Sequence, residues 1–368
     1  MPDPQLARLF QPVQLGDLRL RNRVVMAPMT RRFAAEDGIA TPETVRYYAR
    51  RAEAEVGLIL SEGTHVDARH APDTLTVPRF ETPDQIAAWR RVVDAVHAAG
   101  GAFAPQLWHT GRRALDPIGP SAHQPPPGRD GRPRPAVRAM DAEDFAQVTE
   151  AFRHAAAQAR AIRCDALEIH GAHGYLLDSF LSPQTNRRDD AYGGSAQNRM
   201  RFPLEIVAAV REAVGPDFPI IFRFSQWRMD DYGEAKWRSP GELGAFLGAL
   251  SRAGADILHV STRSVLDPGF PDAHPTRGLA AWSKALSGLP VIAVGKVSVT
   301  LAMDESYGEA ASLVTDPWPA IALVERGEVD LLAVGRALIA NPDWVPLVRS
   351  GRWQDLKPYH KDLLRSLE

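Results

Sequence analysis

A single cysteine, Cys164, is all the chain holds. That excludes an internal disulfide framework, a zinc site built on clustered cysteines and a cysteine-ligated iron–sulfur centre. Excess charge of one sign is also missing, with 43 Lys+Arg against 45 Asp+Glu for a formal net of -2. The basic surplus that phosphate contacts demand of a nucleic-acid binder is therefore absent. No apolar run approaches the roughly 20 residues needed to span a bilayer. The opening Met1-Pro2-Asp3-Pro4-Gln5 lacks the charged-then-apolar pattern of a secretory leader. These absences predict a cytoplasmic protein with no nucleic-acid partner and no membrane attachment. What is present is ordinary globular composition, 45% hydrophobic and 24% charged over 368 residues, which argues against long disorder. Residues 1–368 suit one large α/β domain.

Eight short runs rich in Val, Ile, Leu or Ala, each ending in small or polar residues, read as buried strands. They cover 24–27, 57–62, 102–107, 166–170, 219–224, 257–261, 291–295 and 330–335. Helix signals fill the gaps. Thr41-Pro42-Glu43 opens one helix as cap and first turn, and another runs over 83–99 to stop at Gly100-Gly101. Asp141-Ala142-Glu143-Asp144 opens a third, with further candidates over 197–214, 241–253, 280–286, 319–326 and 342–350. Eight strand–helix units predict a (β/α)₈ TIM barrel. The rival doubly wound sheet should carry G-x-G-x-x-G after its first strand, where Met29-Thr30-Arg31-Arg32 stands instead. Ahead of strand one, Leu15-Gly16-Asp17-Leu18-Arg19-Leu20 reads as a hairpin plugging the barrel bottom. Residues 111–140, dense in Pro, Gly and Arg, read as a long loop after strand three, either a lid or a solvated excursion.

On a barrel, catalytic side chains come from the C-terminal strand ends. Strand four runs into Glu168-Ile169-His170-Gly171-Ala172-His173-Gly174-Tyr175. Two imidazoles and a phenol among small residues predict a functional cluster. A zinc site would need a third ligand that nothing in the sequence marks, so no metal is expected. Strand five places Arg223 inside an apolar run, where it requires either a structural ion pair or an anionic ligand. Strand three ends with Gln106, Trp108 and His109; Gln106 suits an amide-like ring edge or the core. Strands seven and eight end in Val294-Gly295-Lys296 and Val334-Gly335-Arg336. A glycine then a cation, at the last two strands, is how a barrel builds a phosphate site, unless the glycines merely end strands.

Taken in order, these blocks resemble the old yellow enzyme family of FMN-dependent NAD(P)H oxidoreductases. The resemblance runs from Leu9-Phe10-Gln11-Pro12 and Asn22-Arg23-Val24-Val25-Met26-Ala27-Pro28-Met29-Thr30 through Gln106-Leu107-Trp108-His109-Thr110-Gly111-Arg112. Its most specific block is His170-Gly171-Ala172-His173-Gly174-Tyr175-Leu176-Leu177, and Gly335-Arg336 with Asn341-Pro342 closes it. The family pattern implies non-covalent FMN and NAD(P)H as electron donor. Thr30 would hold the flavin C4 carbonyl, Gln106 its pyrimidine edge, and main chain near Pro28, Met29 and Gly63 would line the ring. Arg223 would lie by N1 and the C2 carbonyl. Backbone at Gly295, Lys296 and Gly335, with the Arg336 side chain, would hold the phosphate. His170 and His173 would donate to the oxygen of an enone bordered by Trp108, and Tyr175 would give the proton. That implies ping-pong reduction of activated C=C bonds, hydride passing from NAD(P)H to flavin and then to Cβ.

Nitroester or nitroaromatic reduction, or an oxidative flavin dehydrogenase, would use the same scaffold. A non-flavin barrel isomerase or aldolase would want a lysine or carboxylate base at an inner strand end, and a ligand carrier would need no intact cluster. Two departures from the family pattern bear on the site. Lys296 stands where a Gly or Asn is frequent, and Val334 stands where many members carry an aromatic residue, implying a larger substrate pocket. Monomer and homo-oligomer are equally compatible with the sequence, as are NADH and NADPH.

Overall fold

Two three-residue strands, Val13–Leu15 (β1) and Leu18–Leu20 (β2), pair antiparallel around Gly16-Asp17 in a computed structural model that describes residues 7–127, 131–308 and 310–368. The further strands are β3 (Val24–Met26), β4 (Leu58–His65), β5 (Ala102–Trp108), β6 (Ile118–Gly119), β7 (Arg138–Ala139), β8 (Leu167–His170), β9 (Ile220–Ser225), β10 (Ile257–Ser261), β11 (Val291–Val294) and β12 (Leu331–Val334). Eight of them close into a parallel barrel in the order β3-β4-β5-β8-β9-β10-β11-β12. These are the eight apolar runs of the sequence, so the fold is the (β/α)₈ TIM barrel expected.

The helices are α1 (Pro42–Glu53), α2 (Pro83–Ala98), α3 (Ala142–Ala161), α4 (Leu176–Leu181), α5 (Ala196–Val214), α6 (Pro240–Ala253), α7 (Leu279–Ser287), α8 (Trp318–Glu325), α9 (Arg336–Ala340) and α10 (Trp344–Arg349). Their starts follow the cap chemistry. Thr41 Oγ1 accepts the Thr44 N–H, and Thr82 with Gln85 and Asp141 with Asp144 form full capping boxes. Two short helices were not anticipated. α4 begins directly after the His-rich block, and α9 fills the gap between the expected strand eight, which ended at Gly335, and the helix expected over 342–350, which starts at Trp344.

Two cores result. An outer belt, with Trp89, Phe103, Phe152 and Phe222 fully buried, lies between barrel and helices. An inner floor packs Leu18 and Leu20 of the hairpin against Val25, Leu58, Ala102, Ile221, Ile257 and Leu331. The hairpin thus plugs the barrel as expected. Val334 belongs to the outer belt, so it faces away from the barrel interior and does not enlarge a substrate pocket. Among the described residues of 111–140 there is one 3-10 turn, Gly111–Arg113, and a two-residue ladder of β6 with β7. Gly128, at the end of the Pro-rich run, lies outside the described residues. No described helix is long and apolar enough to cross a membrane.

Candidate active site

Alternate side chains of each strand enter the barrel. On β5, β8, β9 and β10 the inward floor residues include Ala104, Ala166, Ile221 and Ile257. One step up the same faces stand Gln106, Glu168, Arg223 and His259, and above them His170, Ser225 and Ser261, all buried. The interior changes from apolar to polar within one layer. Gln106 Nε2 donates to Glu168 Oε1 at 2.6 Å, and His259 Nδ1 meets Glu168 Oε2 at 2.5 Å. Arg223 lies beside His170 on β8 and His259 on β10 in register. Its Nη2 reaches Ser261 Oγ at 3.4 Å, and its buried Nε has no hydrogen-bond partner among the described residues.

The His170, His173 and Tyr175 rings converge. His170 lies 5.0 Å from each of the other two, and His173 lies 6.5 Å from Tyr175, centroid to centroid. Trp108 borders them, edge-on to Tyr175 at 4.8 Å and stacked with His170 at 6.1 Å. Burial holds both imidazoles well below their ordinary pKa, and the Arg223 charge adds to that effect. The hydrogen-bond network then assigns the neutral tautomer of His170. His170 Nδ1 accepts the Ala172 N–H at 3.2 Å, which leaves the proton on Nε2. His173 Nε2 lies 2.8 Å from Ser261 Oγ, whose lone pair already faces Arg223. A hydroxyl that donates to Nε2 puts the His173 proton on Nδ1, and one that accepts from both Arg223 and His173 puts it on Nε2; the 2.8 Å contact fits either. His170 thus keeps its Nε2–H to offer.

The segment carrying His173 has a left-handed backbone, φ 67°, costly for a non-glycine residue. Several contacts hold it there. Its N–H donates to Ser225 Oγ at 3.0 Å, its ring stacks on Trp227 at 4.5 Å, and Gly174 N–H donates to Asp178 Oδ2 at 2.7 Å. Asp178 in turn faces Lys236 Nζ at 2.7 Å, both side chains fully buried. Burial pushes the Asp178 carboxyl up, with Lys236 opposing.

At the opposite wall, Pro28, Met29 and Thr30 follow β3 half-buried. The next two N–H groups, of Arg31 and Arg32, donate to Glu62 Oε2 at 2.8 and 3.1 Å. Gly63 has a packing reason to be glycine, since a Cβ there would lie 2.4 Å from the Trp108 ring. Gly295-Lys296 and Gly335-Arg336 end the adjacent strands β11 and β12. A Cβ on Gly335 would stand 3.4 Å from Met29 Sδ, which places the Met29 loop against that end. Lys296 is exposed at φ 52°. Arg336 gives part of its fork to the carbonyls of Leu301 at 2.6 Å and Ala302 at 3.0 Å.

Residues 8–355 match the profile of the NADH:flavin oxidoreductase / NADH oxidase family. The chain belongs to the old yellow enzyme family. It is 35% identical to 12-oxophytodienoate reductase 7 of Oryza sativa subsp. japonica, over 95% of this chain and 90% of that one. It is 34% identical to the NADH oxidase of Thermoanaerobacter brockii over 95% of its own length, while spanning only 52% of that relative. Among solved structures, morphinone reductase in complex with tetrahydroNAD superposes with a TM-score of 0.79 at 32% identity, covering 97% of this chain and 93% of that one. The old yellow enzyme homologue from Zymomonas mobilis gives 0.80 at 27% identity, covering 97% and 96%.

As an old yellow enzyme the protein is an FMN-dependent oxidoreductase with a nicotinamide donor, and its residues fit that cofactor. Arg223 is cationic and buried, with a donor that lacks a partner, so it calls for an acceptor or anion. Gln106 has one N–H committed to Glu168 and its carbonyl turned elsewhere. Among the described residues no cluster of three or more His, Cys, Asp or Glu could hold a metal ion. Sequence reasoning had no place for Glu168, His259, Ser261, Lys236, Asp178 or Trp227. The available signal was the one used for Arg223, a polar residue inside an apolar strand, and it applied equally to Glu168 and His259.

Proposed function

We propose that the protein reduces activated C=C bonds of α,β-unsaturated carbonyl compounds at the expense of NADH or NADPH, both half-reactions sharing one pocket of a single 1–368 barrel domain. The observation that carries this is the convergence of two neutral imidazoles and a phenol at one strand end, with Arg223 beneath them. The chemistry supplied by bound FMN is hydride exchange, taken from the nicotinamide and passed to the alkene. Thr30, Gln106 and main chain near Pro28, Met29 and Gly63 would bind its ring. Gly295, Lys296, Gly335 and Arg336 would bind its phosphate.

His170 Nε2–H and, with the Ser261 hydroxyl donating to its Nε2, His173 Nδ1–H donate to the substrate oxygen, with Trp108 bordering the pocket. Those bonds strengthen as negative charge builds on that oxygen, so they favour the transition state over the ground state. Their neutrality matters: a neutral imidazole keeps a donor in place without spending a proton. Tyr175 gives its hydroxyl proton to Cα. Arg223 would hold a positive charge beside the ring and so would favour its electron-rich form.

The test is direct. Purified protein should be yellow, bleach anaerobically with NADH or NADPH, and regain colour with an enone or a maleimide. Recovery only with nitro compounds would replace the alkene reading by nitro reduction. A colourless protein that takes up no added FMN would end it.

A further inference from the structure

The buried triplet Gln106–Glu168–His259 lies just below the site, and of its three members only Gln106 has a role above. We propose that Glu168 is a positioning residue for the cofactor. Its carboxylate fixes the amide of Gln106 and balances Arg223 from one step away, so that it sets both the affinity for FMN and the reduction potential. This rests on the placement of the ring edge against Gln106 and Arg223 proposed above.

The geometry supports each half. An ionised carboxylate only accepts hydrogen bonds. At 2.6 Å from Glu168 Oε1 the Gln106 atom must therefore be the amide nitrogen, which turns the amide oxygen away from Glu168 and fixes the edge that Gln106 presents. His259 holds the second carboxylate oxygen at 2.5 Å, through a ring with no exposed surface. Pinned at both oxygens, Glu168 has no freedom to follow Arg223.

The charge argument is separate. A buried guanidinium needs a counter-charge. No described carboxylate is within ion-pair reach of Arg223, whose side-chain contact is the 3.4 Å bond to Ser261. Glu168 is nonetheless the carboxylate whose charge favours the cationic form of Arg223. A direct pair would consume the guanidinium's fork of donors. A counter-charge one strand over keeps Arg223 charged and leaves donors such as Nε for a ligand. The same negative charge offsets part of the field that Arg223 exerts on the ring.

Two variants separate charge from position. Glu168→Gln removes the charge at nearly constant shape. With it the holoenzyme's flavin–dye equilibrium should shift about tenfold toward reduced flavin, about 30 mV for two electrons. Glu168→Asp keeps the charge but is one methylene too short to reach Gln106 and His259 together. Its equilibrium should stay within about threefold of wild type while FMN binds about tenfold more weakly, roughly 1.4 kcal/mol. Coincident potentials for wild type and Glu168→Gln, or equal shifts in both variants, would overturn the proposal. Should Glu168→Gln not fold, Glu168→Asp decides alone: weaker FMN at an unchanged potential supports it, and unchanged affinity overturns it. Gln106→Leu and Arg223→Lys serve as references. If neither alters affinity or potential in a protein that binds FMN, the placement of the ring edge fails first. If both do and the Glu168 variants do not, only the role of Glu168 fails.

Discussion

Tyr175 is the residue whose removal separates the two half-reactions. Its ring is held between Trp108 and the two imidazoles, so Tyr175→Phe keeps the packing and deletes one proton. General-acid help of this kind contributes about 10²–10⁴-fold. Alkene-driven reoxidation should slow by that order in stopped flow, while reduction by the nicotinamide stays within about twofold. Equal slowing of both phases would remove the proton-donor role. The trio was legible in the sequence because three polar side chains shared six positions with glycine and alanine. Glu168 and His259 were not, because they lie 91 positions apart and nothing local says that β8 and β10 flank the same strand. Lys236 escaped for a similar reason. Its partner Asp178 sits on α4, 58 positions earlier in the chain, and the pair exists only after the barrel closes.

The elements divide by what produces them. The eight staves and most helices were readable because period, caps and terminators are local physics, and Thr41 and Asp141 cap the helices they were expected to open. The short helices α4 and α9 were not, since six and five residues hold too little periodicity to register. The plug formed by β1 and β2 was readable from its alternation, and it carries a prediction. Leu18 is 1% exposed and packs in the inner floor, whereas Arg19 between it and Leu20 is exposed. Leu18→Ala should destabilise the fold by about 2–4 kcal/mol through lost burial and a cavity. Arg19→Ala should stay within about 0.5 kcal/mol. Chemical denaturation of both variants measures this. Because the floor lies below the polar layer, the Leu18→Ala protein that remains folded should keep the wild-type flavin potential. A shifted potential would mean that the plug shapes the site as well as the floor.

Acid response joins the site to the whole molecule. Burial holds His65, His109, His170, His173 and His259 below their ordinary range, His109 at about 4. The unfolded chain gains protons at these rings near pH 6.5, and the folded chain gains them only lower. The stability they contribute is complete above that pH and is lost as the medium is acidified. Two buried carboxyls act in the opposite sense. Burial raises Glu62 to about 7, against two backbone N–H bonds, and raises Asp178 as well. The folded chain keeps those protons as pH rises from about 4.5 toward 7 while the unfolded chain gives them up, so this contribution fades with rising pH. Near pH 5, His109, His170 and His173 alone outnumber the two carboxyls, so the unfolded chain binds a net proton or more. Each is worth about 1.4 kcal/mol per pH unit. The urea midpoint should therefore fall between pH 7 and pH 5, in protein with and without FMN. A midpoint that rose instead would mean that the imidazoles are charged in the fold, and the two neutral donors on which the proposed chemistry depends would be lost with them.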